Sequence, residues 1–127
     1  MKGRLSEEFR NRTKAYAAGV IRLYVKLPKV REEVRTLGKQ LLRSGTSVAA
    51  HVREASRARS SAEFVSKLGG ALQEADESLL WLELLREECG IVSGLTAPLE
   101  TESSELMAIF TTMIMRTEER VTKASGK

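Results

Sequence analysis

Cysteine, proline and aromatic residues are scarce in this sequence, and long apolar runs are absent. Cys89 is the single cysteine among 127 residues, which excludes an internal disulfide and a cysteine-based zinc site. We expect Cys89 to be an ordinary residue near a helix end, in a reducing compartment. No apolar run approaches the length of a membrane span, and no basic-then-apolar signal segment opens the chain. These absences predict a soluble, cytoplasmic protein with no membrane partner.

Sequence patterns typical of catalysis or metal binding are also missing. There is no glycine-rich phosphate loop, no G-x-S-x-G elbow and no Cys/His pair. His51 is the single histidine, and a general base alone does not make a site. A di-iron bundle needs two Glu-x-x-His motifs, whereas His51-x-x-Glu54 has the reverse order and Glu74-x-x-Glu77 lacks histidine. We therefore predict no metal, no cofactor and no enzymatic activity, with His51 as a partly exposed helix residue.

Positive charge is concentrated in the first half of the chain, although the net charge is only +4. Residues 1–60 contain fifteen Lys and Arg against five Asp and Glu, a net charge of +10, whereas residues 61–127 contain six against twelve, a net charge of −6. This asymmetry favours either a basic surface for a polyanion or pairing between the two halves. In an antiparallel bundle the halves lie side by side, so such pairing would neutralise much of the charge.

Apolar residues recur at alternating spacings of three and four, the period of amphipathic helices in a bundle. Alternating strand patterns are absent, and 42% of the residues are hydrophobic, enough for the core of one domain. The spacing predicts four helices, roughly residues 6–26, 29–56, 61–88 and 97–122. Short connections make consecutive helices antiparallel neighbours. Residues 1–127 are therefore predicted to form a single all-α domain, an up-down-up-down four-helix bundle.

Capping and breaking residues set the expected helix boundaries. Ser6 can cap the first helix, Pro28 ends it, and Ser60 opens an S-x-x-E capping box for the third. Gly90 suits the left-handed position after the third helix, and Thr96 is expected to cap the fourth.

Small residues interrupt the apolar seams of the second and third helices. They are concentrated at positions 44–50 and recur at Gly69 and Gly70, although serine, threonine and glycine are mediocre or poor helix formers. We interpret them as sites of close helix packing. The alternative is a close subunit contact or a ligand groove.

A dense pattern of residues spans the second and third helices. It consists of Leu41, Arg43, Ser44, Ser47, Val48, Arg53, Glu54, Ala55, Phe64, Lys67, Leu68, Ala71, Leu72, Glu74, Ala75, Glu77, Trp81 and Leu82. With this pattern the sequence resembles the bacterial "four helix bundle protein" family, also called the 23S ribosomal RNA intervening sequence proteins. His51 departs from the pattern, because the family usually has asparagine there.

The resemblance implies a four-helix bundle that assembles in some members as a five-fold ring. Such proteins are encoded within intervening sequences of large-subunit ribosomal RNA genes. A similar bundle is the accessory protein of diversity-generating retroelements, where a basic pentameric ring engages nucleic acid and a reverse transcriptase. The resemblance thus implies self-association, as a pentamer, with RNA or DNA and a reverse transcriptase as further partners.

Five cations are candidates for contact with phosphates, namely Lys39, Arg43, Arg53, Arg57 and Arg59. The last two lie on the connector between the second and third helices. No groove-reading motif is present and aromatic residues for stacking are few, so binding is expected to be backbone-directed, sequence-tolerant and salt-sensitive. The alternative interpretation of these cations is a solvated basic face.

A second set of residues is predicted to serve assembly. Arg53 can donate two hydrogen bonds to one carboxylate. We therefore expect a salt-bridge network, within or between subunits, formed by Arg53, Glu54, Glu74 and Glu77. The third helix has a second apolar face around Trp81, which is expected to form a subunit interface.

The sequence therefore predicts a non-enzymatic, homo-oligomeric helical bundle that binds nucleic acid or acts as an accessory factor to a nucleic-acid enzyme. Basic residues of the first two helices are expected to meet phosphate. The alternative is a protein-interaction scaffold that does not bind nucleic acid and whose partner is an acidic protein or a polymerase.

Overall fold

Four helices form nearly all of the chain that the computed structural model describes, residues 5–126. They are α1 (Glu7–Lys26), α2 (Glu32–Ser56), α3 (Ser61–Glu87) and α4 (Ser93–Ala124). Each helix packs along its neighbours in the chain, and α1 also meets α4 along a thinner seam. Consecutive helices run antiparallel: Gly45 of α2 faces Val20 of α1 while Gly38 faces Leu27, and the same reversal relates α2 to α3 and α3 to α4. The predicted all-α, up-down-up-down four-helix bundle is confirmed.

The boundaries of the first three helices lie close to the predicted positions, except that α2 starts at residue 32 rather than 29. Ser6 and Ser60 accept the expected capping hydrogen bonds. Lys29 does not begin α2, because its ammonium group donates to the carbonyls of Tyr24 and Leu27. Lys29 thereby satisfies the C-terminal end of α1.

The fourth helix starts at Ser93, earlier than predicted, and the assignment of Thr96 as its cap is wrong. Gly90 has a φ of +72° and ends α3 as predicted. Ile91 then buries its side chain, and its N–H donates to the Leu85 carbonyl at 3.0 Å. The chain has completed its turn at this point, so α4 begins at once and Thr96 becomes a fully buried helix residue.

A layer of hydroxyl groups crosses the apolar core and joins all four helices. The hydroxyls of Tyr16 (α1) and Ser103 (α4) lie 2.6 Å apart, and those of Ser44 (α2) and Ser78 (α3) lie 2.7 Å apart. Burial raises the pKa of Tyr16, while hydrogen bonds with Ser103 and Ser78 oppose that shift. Ser103 and Ser78 also donate to carbonyls of their own helices, at 2.7 and 2.8 Å. The layer therefore satisfies its own buried polar groups.

Small residues bring the helices into close contact, as the small-residue positions in α2 and α3 predict. A Cβ atom on Gly45 would lie 2.7 Å from Cγ2 of Val20, so α1 and α2 approach each other at this point. Gly70 has a similar role between α3 and α2, because the His51 ring occupies the space that its Cβ would need. Gly69, in contrast, has open space beside it.

Replacing Gly45 by alanine should destabilise the bundle, because the new methyl group overlaps Val20. We expect a loss of about 1–3 kcal/mol in the free energy of unfolding, measured by urea denaturation. Gly69→Ala is the matched control, because its methyl group meets no neighbour and alanine favours the helix by about 1 kcal/mol. Equal effects of the two substitutions would contradict close packing at Gly45.

Tyr16→Phe removes one hydroxyl from the layer and should lower the free energy of unfolding by about 1 kcal/mol at neutral pH. The fold raises the pKa of Tyr16, so this contribution is present below the unfolded-state pKa of about 10 and is lost as the pH rises. Denaturation in urea across neutral and alkaline pH measures both effects. Tyr24→Phe, beneath the Lys29 ammonium, is the control. Identical unfolding curves for wild type and Tyr16→Phe at every pH would show that the layer is dispensable.

Candidate nucleic-acid interface

Many arginine side chains are neutralised by carboxylates. Arg12 binds Glu102 through two hydrogen bonds of 2.8 Å and Glu105 through one of 2.9 Å. Arg86 binds Glu100 at 2.9 and 3.0 Å, which lowers the pKa of Glu100. Further ion pairs engage Arg31, Arg35, Arg43 and Arg59. The pairs of Arg12 and Arg43 join the basic half of the chain to carboxylates of the acidic half, so they cancel part of the charge asymmetry.

Four cations converge on one groove between α1 and α2, and none of them forms an ion pair within residues 5–126. Arg10 and Lys14 line the groove from α1, and Arg53 and Arg57 line it from the C-terminal end of α2. The groove has a volume of about 620 Å³. Uncompensated positive charge therefore accumulates in this groove.

Arg10 is held in the groove by neutral acceptors, so its positive charge stays available. Its Nη1 atom donates to Oγ of Ser56 at 2.9 Å and to the Leu5 carbonyl at 3.2 Å. Ser56 and Leu5 are both buried, which anchors the guanidinium to the body of the bundle.

Two carboxylates line the same groove and offset part of its charge, which stays positive because four cations line it. Glu54 is bound by Lys67 at 3.2 Å, and Glu7 lies in the first turn of α1, where the helix dipole stabilises it. No aromatic side chain is among the described residues that line the groove. The arrangement suits the phosphates of an anionic chain and offers no surface on which bases could stack.

The structure brings two of the five sequence-predicted cations into this groove. Arg53 and Arg57 line it, whereas Lys39 is exposed elsewhere on α2 and Arg43 is bound by carboxylates. The Arg59 side chain is 90% exposed on the connector, 3.8 Å from a glutamate.

The sequence predicts that basic residues of the first two helices meet phosphate, but it does not single out Arg10 and Lys14. Their spacing of four places them on one face of α1. This spacing can be read from the sequence, but the sequence does not show that this face of α1 meets the C-terminal end of α2.

The predicted pairing of Arg53 with Glu74 and Glu77 does not occur within the chain. Arg43 takes that place, at 3.3 Å from Glu74 and 2.9 Å from Glu77. Arg53 lies about 15 Å further along α2, given the rise of an α-helix, and is out of reach. The Arg43 side chain is 52% exposed, so these contacts add little to stability.

Comparison with known protein families matches residues 7–112 to the 23S rRNA-intervening sequence protein family. The chain belongs to this family. The matched range includes the first three helices and much of the fourth, and it confirms the resemblance seen in the sequence. No curated protein matches the chain.

A solved structure has the same fold as this intervening-sequence family member. It is the crystal structure of a protein with unknown function from the S23 ribosomal protein family of Bacteroides thetaiotaomicron, with a TM-score of 0.76 and 34% sequence identity. The match covers 84% of this chain and 94% of that chain.

His51 and Trp81 both lie partly buried at helix surfaces. The His51 ring packs on Gly70, with Nδ1 3.5 Å from Glu54, so its predicted partial exposure is confirmed. Trp81 packs against the core, and its Nε1 atom is buried without a hydrogen-bond partner in the described structure. Leu80, at 46% exposure, is the more exposed apolar residue of this face. The role of the face as a subunit interface stays a prediction.

Other classes of site have little support in the described chain. No three His, Cys, Asp or Glu side chains within residues 5–126 are grouped so that they could hold a metal ion. Within the same range, no helix combines the length and apolar character needed to cross a membrane. The α1–α2 groove is therefore the candidate site with the clearest chemistry.

Proposed function

We propose that this family member is a non-enzymatic helical bundle that binds the phosphate backbone of nucleic acid in the α1–α2 groove. The supporting observation is the convergence of Arg10, Lys14, Arg53 and Arg57, none of which has an ion-pair partner in the described chain. A cation that already contacts a carboxylate gains little from a phosphate. An unpaired cation gains a full charge contact and releases counterions from the nucleic acid.

The four cations have different roles in this proposal. Arg10 is pre-oriented by Ser56 and the Leu5 carbonyl, so it loses less conformational entropy on binding than a free side chain does. The other three are exposed, so their long side chains can adapt to the path of the nucleic-acid backbone. Because phosphate contacts position a protein without reading sequence, binding is tolerant of sequence and sensitive to salt.

The bundle acts, in this proposal, as a cytoplasmic homo-oligomer that assists a nucleic-acid enzyme such as a reverse transcriptase. The resemblance to ring-forming bundles of this kind supports the assembly, and Leu80 on α3 offers an exposed apolar side chain for such a contact. Each subunit of a ring contributes one groove, so several weak phosphate contacts act together on one polymer.

Arg53→Ala/Arg57→Ala should weaken binding to a labelled structured RNA or duplex DNA on the order of tenfold, because two phosphate contacts are lost. The slope of log affinity against log salt concentration should become shallower by about 1.8 for duplex DNA. Fluorescence anisotropy at several salt concentrations measures both quantities.

Arg116→Ala/Arg120→Ala is the matched control, because it removes the same charge from exposed positions near the C-terminal end of α4. Equal losses in the two double variants would mean that net charge, and not the groove, drives binding. Failure of the wild type to bind either polymer, even at about 50 mM salt, would overturn the nucleic-acid proposal.

Light scattering at micromolar concentration should give a molar mass of at least twice the 14.1 kDa mass of one chain. The reason is that the exposed Leu80 side chain of α3 gains from burial against another subunit. A mass that stays at that of one chain over the whole concentration range would contradict the homo-oligomer.

A further inference from the structure

The seam between α1 and α4 leaves a cleft open on the surface of the bundle. These helices contact each other less than any pair of consecutive helices does. The cleft has a volume of about 410 Å³ and is lined by residues between Arg12 and Lys26 of α1 and between Gly94 and Glu102 of α4. Gly19 marks the point of contact, since a Cβ there would lie 3.1 Å from Cδ2 of Leu99.

The cleft has an apolar floor and low walls. The apolar surface comes from Leu23, Leu95, Leu99 and Pro98. The walls are low because the other lining residues include the small Ala15, Gly19 and Gly94. The Tyr16 ring is buried and its hydroxyl is engaged with Ser103, so the cleft offers no exposed aromatic face to a base. An apolar side chain from another protein segment suits this floor better than a nucleic acid does.

One rim of the cleft carries two cations without a partner. Arg22 and Lys26 are exposed one turn apart on α1, and neither forms an ion pair within residues 5–126. Glu102 is the one carboxylate among the described lining residues, and Arg12 binds both of its oxygens at 2.8 Å. The cleft thus combines an apolar floor with an uncompensated positive rim.

The third helix carries the complementary combination. Leu80 is 46% exposed, with Asp76 one turn before it and Glu83 one turn after it on the same helix face. Asp76 forms no ion pair in the described structure. Glu83 lies near Arg86, but that guanidinium already donates to Glu100 at 2.9 and 3.0 Å. Leu80 is therefore an exposed apolar side chain that lies between two carboxylates available to a partner.

We propose that the α1–α4 cleft of one chain binds the Leu80 face of α3 from a second copy. Leu80 enters the apolar floor, and Asp76 and Glu83 face Arg22 and Lys26. The cations are about 6 Å apart along α1 and the carboxylates about 10 Å apart along α3, a difference that flexible side chains bridge. This inference rests on the proposed homo-oligomer and names the two surfaces that build it.

The contact is head-to-tail, because the cleft lies between α1 and α4 whereas the Leu80 face belongs to α3. A head-to-tail contact repeats from one subunit to the next and closes into a ring when the rotation allows it. Neither surface includes the cations of the α1–α2 groove, so assembly leaves them available.

Charge reversal tests the pairing of the two surfaces. Arg22→Glu/Lys26→Glu and Asp76→Lys/Glu83→Lys should each lower the mass measured by light scattering at low salt toward 14.1 kDa, because like charges then face each other. The fourfold variant that combines both pairs restores opposite charges across the contact and should recover the wild-type mass. Circular dichroism checks that every variant keeps its helical content.

Arg116→Glu/Arg120→Glu, outside both surfaces, is the control and should keep the wild-type mass. Unchanged mass in both test variants, or no recovery in the fourfold variant, overturns the proposed pairing while the homo-oligomer stands. A wild type with the mass of one chain overturns both proposals. Loss of RNA binding in Arg53→Ala/Arg57→Ala is measured separately and reports on the groove alone.

Discussion

Four hydroxyl groups near the middle of the core hold the helices in one axial register. Apolar seams alone allow antiparallel helices to slide by a turn, because leucine and valine side chains pack in several ways. Sliding would separate Tyr16 from Ser103 or Ser44 from Ser78, and a buried hydroxyl without its partner costs about 1–3 kcal/mol. The layer thus selects one alignment of the bundle, and the surface chemistry depends on that alignment.

The alignment decides which charges are used within the fold and which remain for partners. Arg12 and Arg43 each lie opposite carboxylates of a neighbouring helix, whereas Arg10 lies beside Ser56 and Arg22 lies at the rim of an apolar cleft. All are arginines of the basic half of the chain, yet only the last two keep an uncompensated charge. Net charge is therefore a poor guide to function here, and position relative to the next helix is the better one.

The number and order of the helices could be predicted because apolar spacing and capping residues are local signals. Thr96 and Ser103 could not be placed in the core, since a hydroxyl residue appears polar in the sequence and both residues are fully buried in the fold. Arg43, rather than the predicted Arg53, binds the carboxylates of α3, and the sequence could not show this either. Periodicity shows which face of a helix is buried, but not how far one helix is displaced along another. The groove lined by Lys14 was missed for that reason.

The thin seam between α1 and α4 also has a consequence for how the chain folds. Since packing follows chain order, most helix–helix contacts join neighbours in sequence, and contact order is low, which favours rapid folding. The α2–α3 hairpin has the most extensive packing and is the natural nucleus, onto which the two terminal helices dock from opposite sides. Opening the α1–α4 seam breaks few contacts, chiefly those of Tyr16 with Ser103 and of Arg12 with its carboxylates, so local opening costs least at the seam that contains the cleft.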